Sequence, residues 1–213
     1  KLFAMEILKT TTILLVRHAQ TNSNIKHLFM GWSDEDLDEV GYTQACRLSS
    51  RLACHAINSV YTSSIRRAYN TAVILAQPHN LKPQILDDLI EVRLGDWQGL
   101  YMSQVEERWP KLWQQYRASP SNLIIPNGES FRQMINRSIQ AFNMVKNSEL
   151  SKTTVIVSHE AIIKVLVAHI LGVSNNIYSR FEINNASLTT IQINNSDDNY
   201  RLISLNDISH LVD

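Results

Sequence analysis

Two short apolar runs in this 213-residue chain each end in a histidine, and that pairing constrains the fold more than any other feature. Ile13-Leu14-Leu15-Val16 passes into Arg17-His18-Ala19-Gln20 and then the polar turn Thr21-Asn22-Ser23-Asn24. Thr154-Val155-Ile156-Val157 passes into Ser158-His159-Glu160 and directly into the helix-like Ala161-Ile162-Ile163-Lys164-Val165-Leu166-Val167. Short, uniformly apolar runs of this kind read as strands buried on both faces. Their carboxyl ends are where open α/β sheets gather ligands. Two strands therefore each deliver one histidine, His18 and His159, to the same sheet edge. An isolated histidine at a strand end is ordinarily a hydrogen-bonded structural residue; the pairing weakens that reading.

A third strand ending at Tyr61 leads through Thr62-Ser63-Ser64 into a helix with Arg66 and Arg67 in its first turn. Cations there oppose the helix dipole, a cost that a bound anion removes. Phosphate is the expected anion. Only one of the two arginines need face inward, the other lying on a solvated helix face. Strands are expected at Thr12 to Val16, Ser59 to Tyr61, Gln84 to Leu86, Thr153 to Val157, Leu188 to Ile193 and Arg201 to Ser204. Helices are expected after Gly41, over Ile65 to Ala76, Tyr101 to Tyr116, Ser130 to Asn147, and Ala161 to Leu171, the last stopped by Gly172. This alternation predicts an α/β fold, a three-layer α/β/α sandwich around a central, mostly parallel mixed sheet. No repeat or linker divides the chain, so residues 1–213 are expected to form one domain. Met5-Glu6 has the look of a native start, with Lys1 to Ala4 an expected cloning remnant.

The order of the motifs resembles that of the histidine phosphatase superfamily, the phosphoglycerate-mutase-like enzymes. The family's opening Arg-His-Gly-x-Thr/Ser-x-x-Asn reads here Arg17-His18-Ala19-Gln20-Thr21-Asn22-Ser23-Asn24. Gly31-Trp32-Ser33-Asp34-Glu35-Asp36-Leu37 and Gly41-Tyr42-Thr43-Gln44-Ala45 follow, then Ser63-Ser64-Ile65-Arg66-Arg67-Ala68, which aligns Arg67 with the family's inward arginine. Leu89-Ile90-Glu91, Gly95-Asp96-Trp97-Gln98-Gly99, Pro126-Asn127-Gly128-Glu129-Ser130 and Asn185-Ala186-Ser187 complete the series in the correct order. Ala19, Gln98, Asn127 and Glu160 depart from the family pattern, and none of them removes a group that must do chemistry.

The resemblance implies a metal-independent phosphomonoesterase acting on a small phosphorylated metabolite through a phosphohistidine on His18. Phosphoryl transfer is mostly positioning and neutralisation of oxygens, which a ring of cationic side chains can supply. Arg17 and Arg67 would clamp the oxygens with forked donors. His159 would be protonated near the phosphate, and Glu91 would give the leaving alkoxide its proton. Asn24 is a further substrate-binding candidate, with an Asx-type turn as its equally good alternative. Ser63 is expected to cap the helix beginning near Ile65. Trp97, Trp109 and Trp113 fit core positions better than a substrate pocket. Glu160 is expected to point away, because a carboxylate beside a bound dianion would repel it and an outward one would complement the helix dipole.

Composition narrows the partners. Lys plus Arg and Asp plus Glu are both 20, so no long-range field favours nucleic acid or an anionic membrane. No segment approaches the ~20 apolar residues that span a bilayer. Cys46 and Cys54 lie eight apart in an expected helix, ~12 Å between Cα atoms at ~1.5 Å per residue, too far to bridge. A cytoplasmic location follows as the expectation. No metal site or cofactor is expected: neither His18 nor His159 is followed by a carboxylate at a ligand spacing, and Arg17 would repel a dication. A homodimer is the assembly left open. Two alternatives stand beside the phosphatase: a cofactor-dependent phosphoglycerate mutase, and a phospho-ligand-binding scaffold with little turnover. Mutases carry a longer insertion between the acid and Pro126, whereas Glu91 and Pro126 are here 35 apart, with Arg93, Arg108, Lys111 and Arg117 the few cations between them.

Overall fold

The computed structural model describes residues 10–212. The expected start at Met5 and the remnant before it lie outside the described residues. Six strands form one sheet: β1 (Thr10–Arg17), β2 (Ser59–Thr62), β3 (Gln84–Ile85), β4 (Thr153–Ser158), β5 (Leu188–Asn194) and β6 (Asn199–Asp207). Their order across the sheet is β3-β2-β4-β1-β5-β6. The β1/β4, β2/β4 and β2/β3 pairs are parallel, and the β1/β5 and β5/β6 pairs antiparallel, as a mostly parallel mixed sheet requires.

The helices are α1 (Asn22–Ile25), α2 (Glu39–Leu52), α3 (Arg66–Ala76), α4 (Met102–Arg108), α5 (Pro110–Ala118), α6 (Phe131–Ser148) and α7 (Glu160–Ile170). Successive residues of a strand face opposite sides of the sheet. Leu14, Val16, Val155 and Val157 accordingly pack with Leu48 and Leu52 of α2 and Ala68 and Leu75 of α3. Ile13, Leu15 and Ile156 pack with Met134 and Phe142 of α6 and Ile163 and Leu166 of α7. Both faces are covered, which is why these strands carry no polar alternation.

The single helix expected over Tyr101 to Tyr116 is instead two, broken at Trp109 (φ −134°, ψ 60°). Pro110 has no N–H and pushes the residue before it out of the helical region. The turn lets the aromatic residues of α4 and α5 close on themselves. Trp97, fully buried, has Phe29, Tyr116 and Trp109 at centroid distances of 5.6, 5.7 and 6.5 Å. The three tryptophans are thus core or partly buried packing residues, as their spacing suggested.

Candidate active site

The register of β1 on β4 builds the centre of the site. Arg17 is paired with Ser158, so His18 and His159 leave adjacent strand ends together. The His18 N–H donates to the Ser158 carbonyl at 2.9 Å, and the two imidazole centroids are 5.2 Å apart. Around His18 the loop is pinned by neighbours distant in sequence. The Ala19 N–H donates to Thr71 Oγ1 (3.1 Å), itself donating to the Arg67 carbonyl (2.7 Å). Gly41 packs where any side chain would run into the Gln20 carbonyl.

His18 Nδ1 lies 2.8 Å from the Ala19 carbonyl, an acceptor only, so this nitrogen carries the proton. Nε2 is left with its lone pair, which accepts from Arg67 Nε at 3.2 Å. Arg67 is held rigidly, donating Nη1 to the Ser33 carbonyl (2.7 Å) and Nη2 to the Gly31 carbonyl (2.9 Å). That gives the Gly31 to Leu37 segment a structural meaning. Arg66 faces the other way, to Asp34 at 3.1 Å, so of the two arginines only Arg67 reaches the site. Burial brings the Arg67 guanidinium down to about 10.

A cavity of about 310 Å³ opens at this sheet edge and is lined by Arg17, His18, Asn24, Arg67 and Glu91 among others. His159 lies fully buried beside it, Nε2 2.9 Å from Ser63 Oγ and Nδ1 without a protein partner among the described residues. Arg17 donates Nη1 to the Ile183 carbonyl (2.5 Å) and likewise leaves a buried Nε unpartnered. Buried donors without partners are costly and mark a place for a ligand. Asn24 combines both of its expected roles: Oδ1 accepts from Thr21 N and Thr21 Oγ1 in a capping box, while the residue also lines the cavity. Ser63 accepts the Ile65 N–H at 3.2 Å ahead of α3, and Ile65 rather than Ser63 is the cap residue.

Glu91 Oε1 accepts the Val92 N–H at 2.8 Å, and burial, the dominant influence, raises its carboxyl above the ordinary range. Its loop is clamped by Arg137, which donates to the carbonyls of Asp88 (2.9 Å), Ile90 (2.5 Å) and Glu91 (2.9 Å) and pairs with Glu129. The Pro126 to Ser130 motif therefore serves the site indirectly, through Glu129. Arg137 matches no motif in the sequence, and nothing in its spacing marks it.

Glu160 overturns its expectation. Its carboxylate lines the cavity, with Oε2 3.0 Å from Arg17 Nη1 and Oε1 2.7 Å from Lys164 Nζ, one helical turn on. The repulsion argument counted only the bound dianion and left out these two cations. Burial opposes its ionisation, and Arg17 and Lys164 outweigh burial, so the carboxyl is held below its usual range. Asn185, Tyr116 and Tyr178 also line the cavity. Of these only Asn185 lay in a motif; its Nδ2 donates to the His18 carbonyl and to Asn24 Oδ1, both at 3.1 Å.

Burial first, then Arg67 and other neighbouring cations, hold both His18 and His159 well below the ordinary histidine range. The ligand-free site thus keeps His159 neutral, and a charged His159 needs the phosphate to arrive. Linkage turns this into a stability prediction. Below about pH 6.5 the unfolded chain takes up protons that these folded histidines refuse, so stability falls as pH drops from there toward the folded values. His169 and His210 shift the same way, and Glu91, raised, opposes them. The melting temperature of the ligand-free protein should fall between pH 7 and pH 5; a rise over that interval would contradict the neutral pair.

An α/β sandwich that sets an imidazole lone pair and two arginines at the carboxyl edge of its sheet defines an enzyme built to handle phosphate. Residues 13–208 match the sequence profile of the histidine phosphatase superfamily, branch 1, and the chain belongs to that superfamily. A metal-independent phosphoserine phosphatase of Arabidopsis thaliana is 30% identical over 207 residues, covering 95% of this chain and 84% of its own. A 2,3-bisphosphoglycerate-dependent phosphoglycerate mutase of Bartonella bacilliformis is 35% identical over 176 residues, 77% of this chain and 83% of its own. The solved structure of Bacillus stearothermophilus YhfR superposes with a TM-score of 0.89 at 27% identity, over 95% of this chain and all (100%) of that one. The protein is a phosphoric monoester hydrolase. Among the described residues no helix is long and apolar enough to cross a membrane.

Proposed function

We propose that this chain hydrolyses a small phosphorylated metabolite in two steps through a phosphohistidine on His18. The observation that carries the reading is the His18 Nε2 lone pair, fixed by the Nδ1–H to Ala19 bond and set against Arg67. In the first step Nε2 attacks phosphorus and the ester P–O bond breaks, the leaving alkoxide taking a proton from Glu91. In the second, water attacks phosphorus, Glu91 takes its proton, and the P–N bond breaks to free His18 and inorganic phosphate. Arg17 and Arg67 hold the phosphoryl oxygens. The unpartnered Nδ1 of His159 is a third donor, and Ser63 fixes that ring's tautomer by the bond to Nε2.

The mutase reading would need a cation for the substrate carboxylate. Of the described residues lining the cavity, the permanent cations are Arg17 and Arg67, both taken by the phosphate. Charge neutralisation by side chains also supports turnover without a metal. Purified protein should hydrolyse p-nitrophenyl phosphate at an undiminished rate in EDTA. Activity lost to EDTA and restored by magnesium or zinc would defeat this reading.

A further inference from the structure

Half of the cavity is left over once the phosphate is placed, and the inference drawn from it rests on the phosphatase reading. We propose that this half is a subsite for the alcohol part of the substrate, that Glu160 is its specificity-determining residue, and that the alcohol it selects carries an ammonium group and no anion besides the scissile phosphate.

The geometry of the Glu160–Lys164 pair is the starting point. The carboxylate is 35% exposed, into the cavity, whereas the lysine side chain is only 8% exposed. Lys164 is tucked behind, its Nζ 4.8 Å from the ring centre of Tyr178. The pair therefore presents its acid and hides its base. Each carboxylate oxygen has two acceptor sites and has given one, Oε1 to Lys164 and Oε2 to Arg17. One acceptor site on each remains for a ligand. An ionised carboxylate accepts hydrogen bonds and donates none, so it favours an ammonium and turns away a second anion.

The walls agree with that choice. Tyr116 and Tyr178 line this end of the cavity with Leu28, Met30 and Met102. Burial, reinforced by the charge of Glu160, keeps both phenols protonated, so neither competes as an anion. Electron-rich rings stabilise a nearby ammonium, and the Lys164 ammonium over Tyr178 shows that this cluster already accommodates one. A second anion would find Glu160 and no uncommitted permanent cation among the described lining residues. Leaving it buried and unpaired costs far more than leaving a neutral hydroxyl there. Tyr116 is locked by its contacts with Trp97, Phe131 and Tyr178 at 5.7 to 5.9 Å, so the wall cannot readily be rebuilt around a different ligand.

The test compares kcat/KM for O-phosphoethanolamine, glycerol 1-phosphate and 3-phosphoglycerate, with p-nitrophenyl phosphate as a reporter of turnover. Wild-type protein should prefer phosphoethanolamine to glycerol 1-phosphate by about tenfold or more, the scale of one charge-assisted hydrogen bond, and should rank 3-phosphoglycerate last. In Glu160→Gln the amide keeps the size and loses the charge, and the phosphoethanolamine to glycerol 1-phosphate ratio should fall about tenfold, chiefly through KM. Wild-type turnover of p-nitrophenyl phosphate with no preference for the amine would overturn the inference alone. So would a Glu160→Gln variant that loses rate on every substrate in parallel with the ratio intact, which would make Glu160 a support for Arg17. Failure of the wild type to hydrolyse any of the four would overturn the phosphatase reading beneath it.

Discussion

His18→Ala will lower phosphate-ester hydrolysis by on the order of 10⁴-fold or more, the scale seen when a nucleophile is removed from an otherwise preorganised site. The lone pair on Nε2 is the one uncharged nucleophile that the site presents beside two arginines, and no neighbouring group can substitute for it. Ser63 is turned to His159 and the Ile65 N–H, and Thr71 is tied to Ala19 and Arg67. The substitution should leave the fold intact. Arg67 keeps its bonds to the Gly31 and Ser33 carbonyls, and the His18 backbone N–H stays on Ser158. Acid quench of wild-type protein during turnover should trap phosphate on His18, and the variant should trap none. Label on a serine or an aspartate, or a variant rate within tenfold of wild type, would remove His18 from the role.

The second large effect is expected of Glu91→Gln. Glutamine keeps the acceptor for the Val92 N–H and the shape of the Arg137-clamped loop, and it removes only the acidic proton. Alkyl phosphates, whose alkoxides leave poorly without a proton, should slow by ~10² to 10⁴, the usual contribution of a general acid. p-Nitrophenyl phosphate should slow far less, since its phenolate needs little help. The pH profile carries the same signature. His18 must be neutral, and its lowered pKa keeps it so well below pH 6.5; Glu91 must be protonated, and its raised pKa extends that condition upward from the ordinary carboxyl range. The wild-type optimum on alkyl phosphates should therefore lie on the acid side of neutrality, with a fall in kcat/KM as pH rises through the Glu91 pKa. That limb should vanish in Glu91→Gln. Equal losses on both substrates would make Glu91 a binding or structural residue.

Much of the site could be read from sequence because its groups sit at the ends of regular elements. A run such as Ile13 to Val16 can only be a buried strand in a chain of this composition, and whatever follows it must emerge at the sheet edge. His18, Arg17 and His159 were legible on those grounds. Arg67 was half legible: two adjacent arginines at a helix start say that one faces in, and the motif said which. Glu91 lies on a short 3₁₀ segment and loop, so its assignment rested on the resemblance and not on any periodicity.

The residues that escaped sequence reading are those whose roles depend on partners far along the chain. Arg137 is an ordinary position on the long helix α6 until the fold brings the 88–91 carbonyls against it. Tyr116 and Tyr178 are 62 positions apart and become one wall only because Pro110 breaks the preceding helix and turns α5 onto the cavity. Glu160 is the sharpest case. Its identity and its place at the first turn of α7 were plain from sequence, and the dipole argument pointed it outward. What sets the direction of a carboxylate is the sum of the charges around it, and Arg17 arrives from β1, across the strand pairing. Sequence by itself determined the strands, the two histidines at their ends and the reaction class that follows from them. The tertiary structure alone decided which way the charged side chains face, because short-range electrostatics and packing act between atoms that only the completed fold places within a few ångströms of each other.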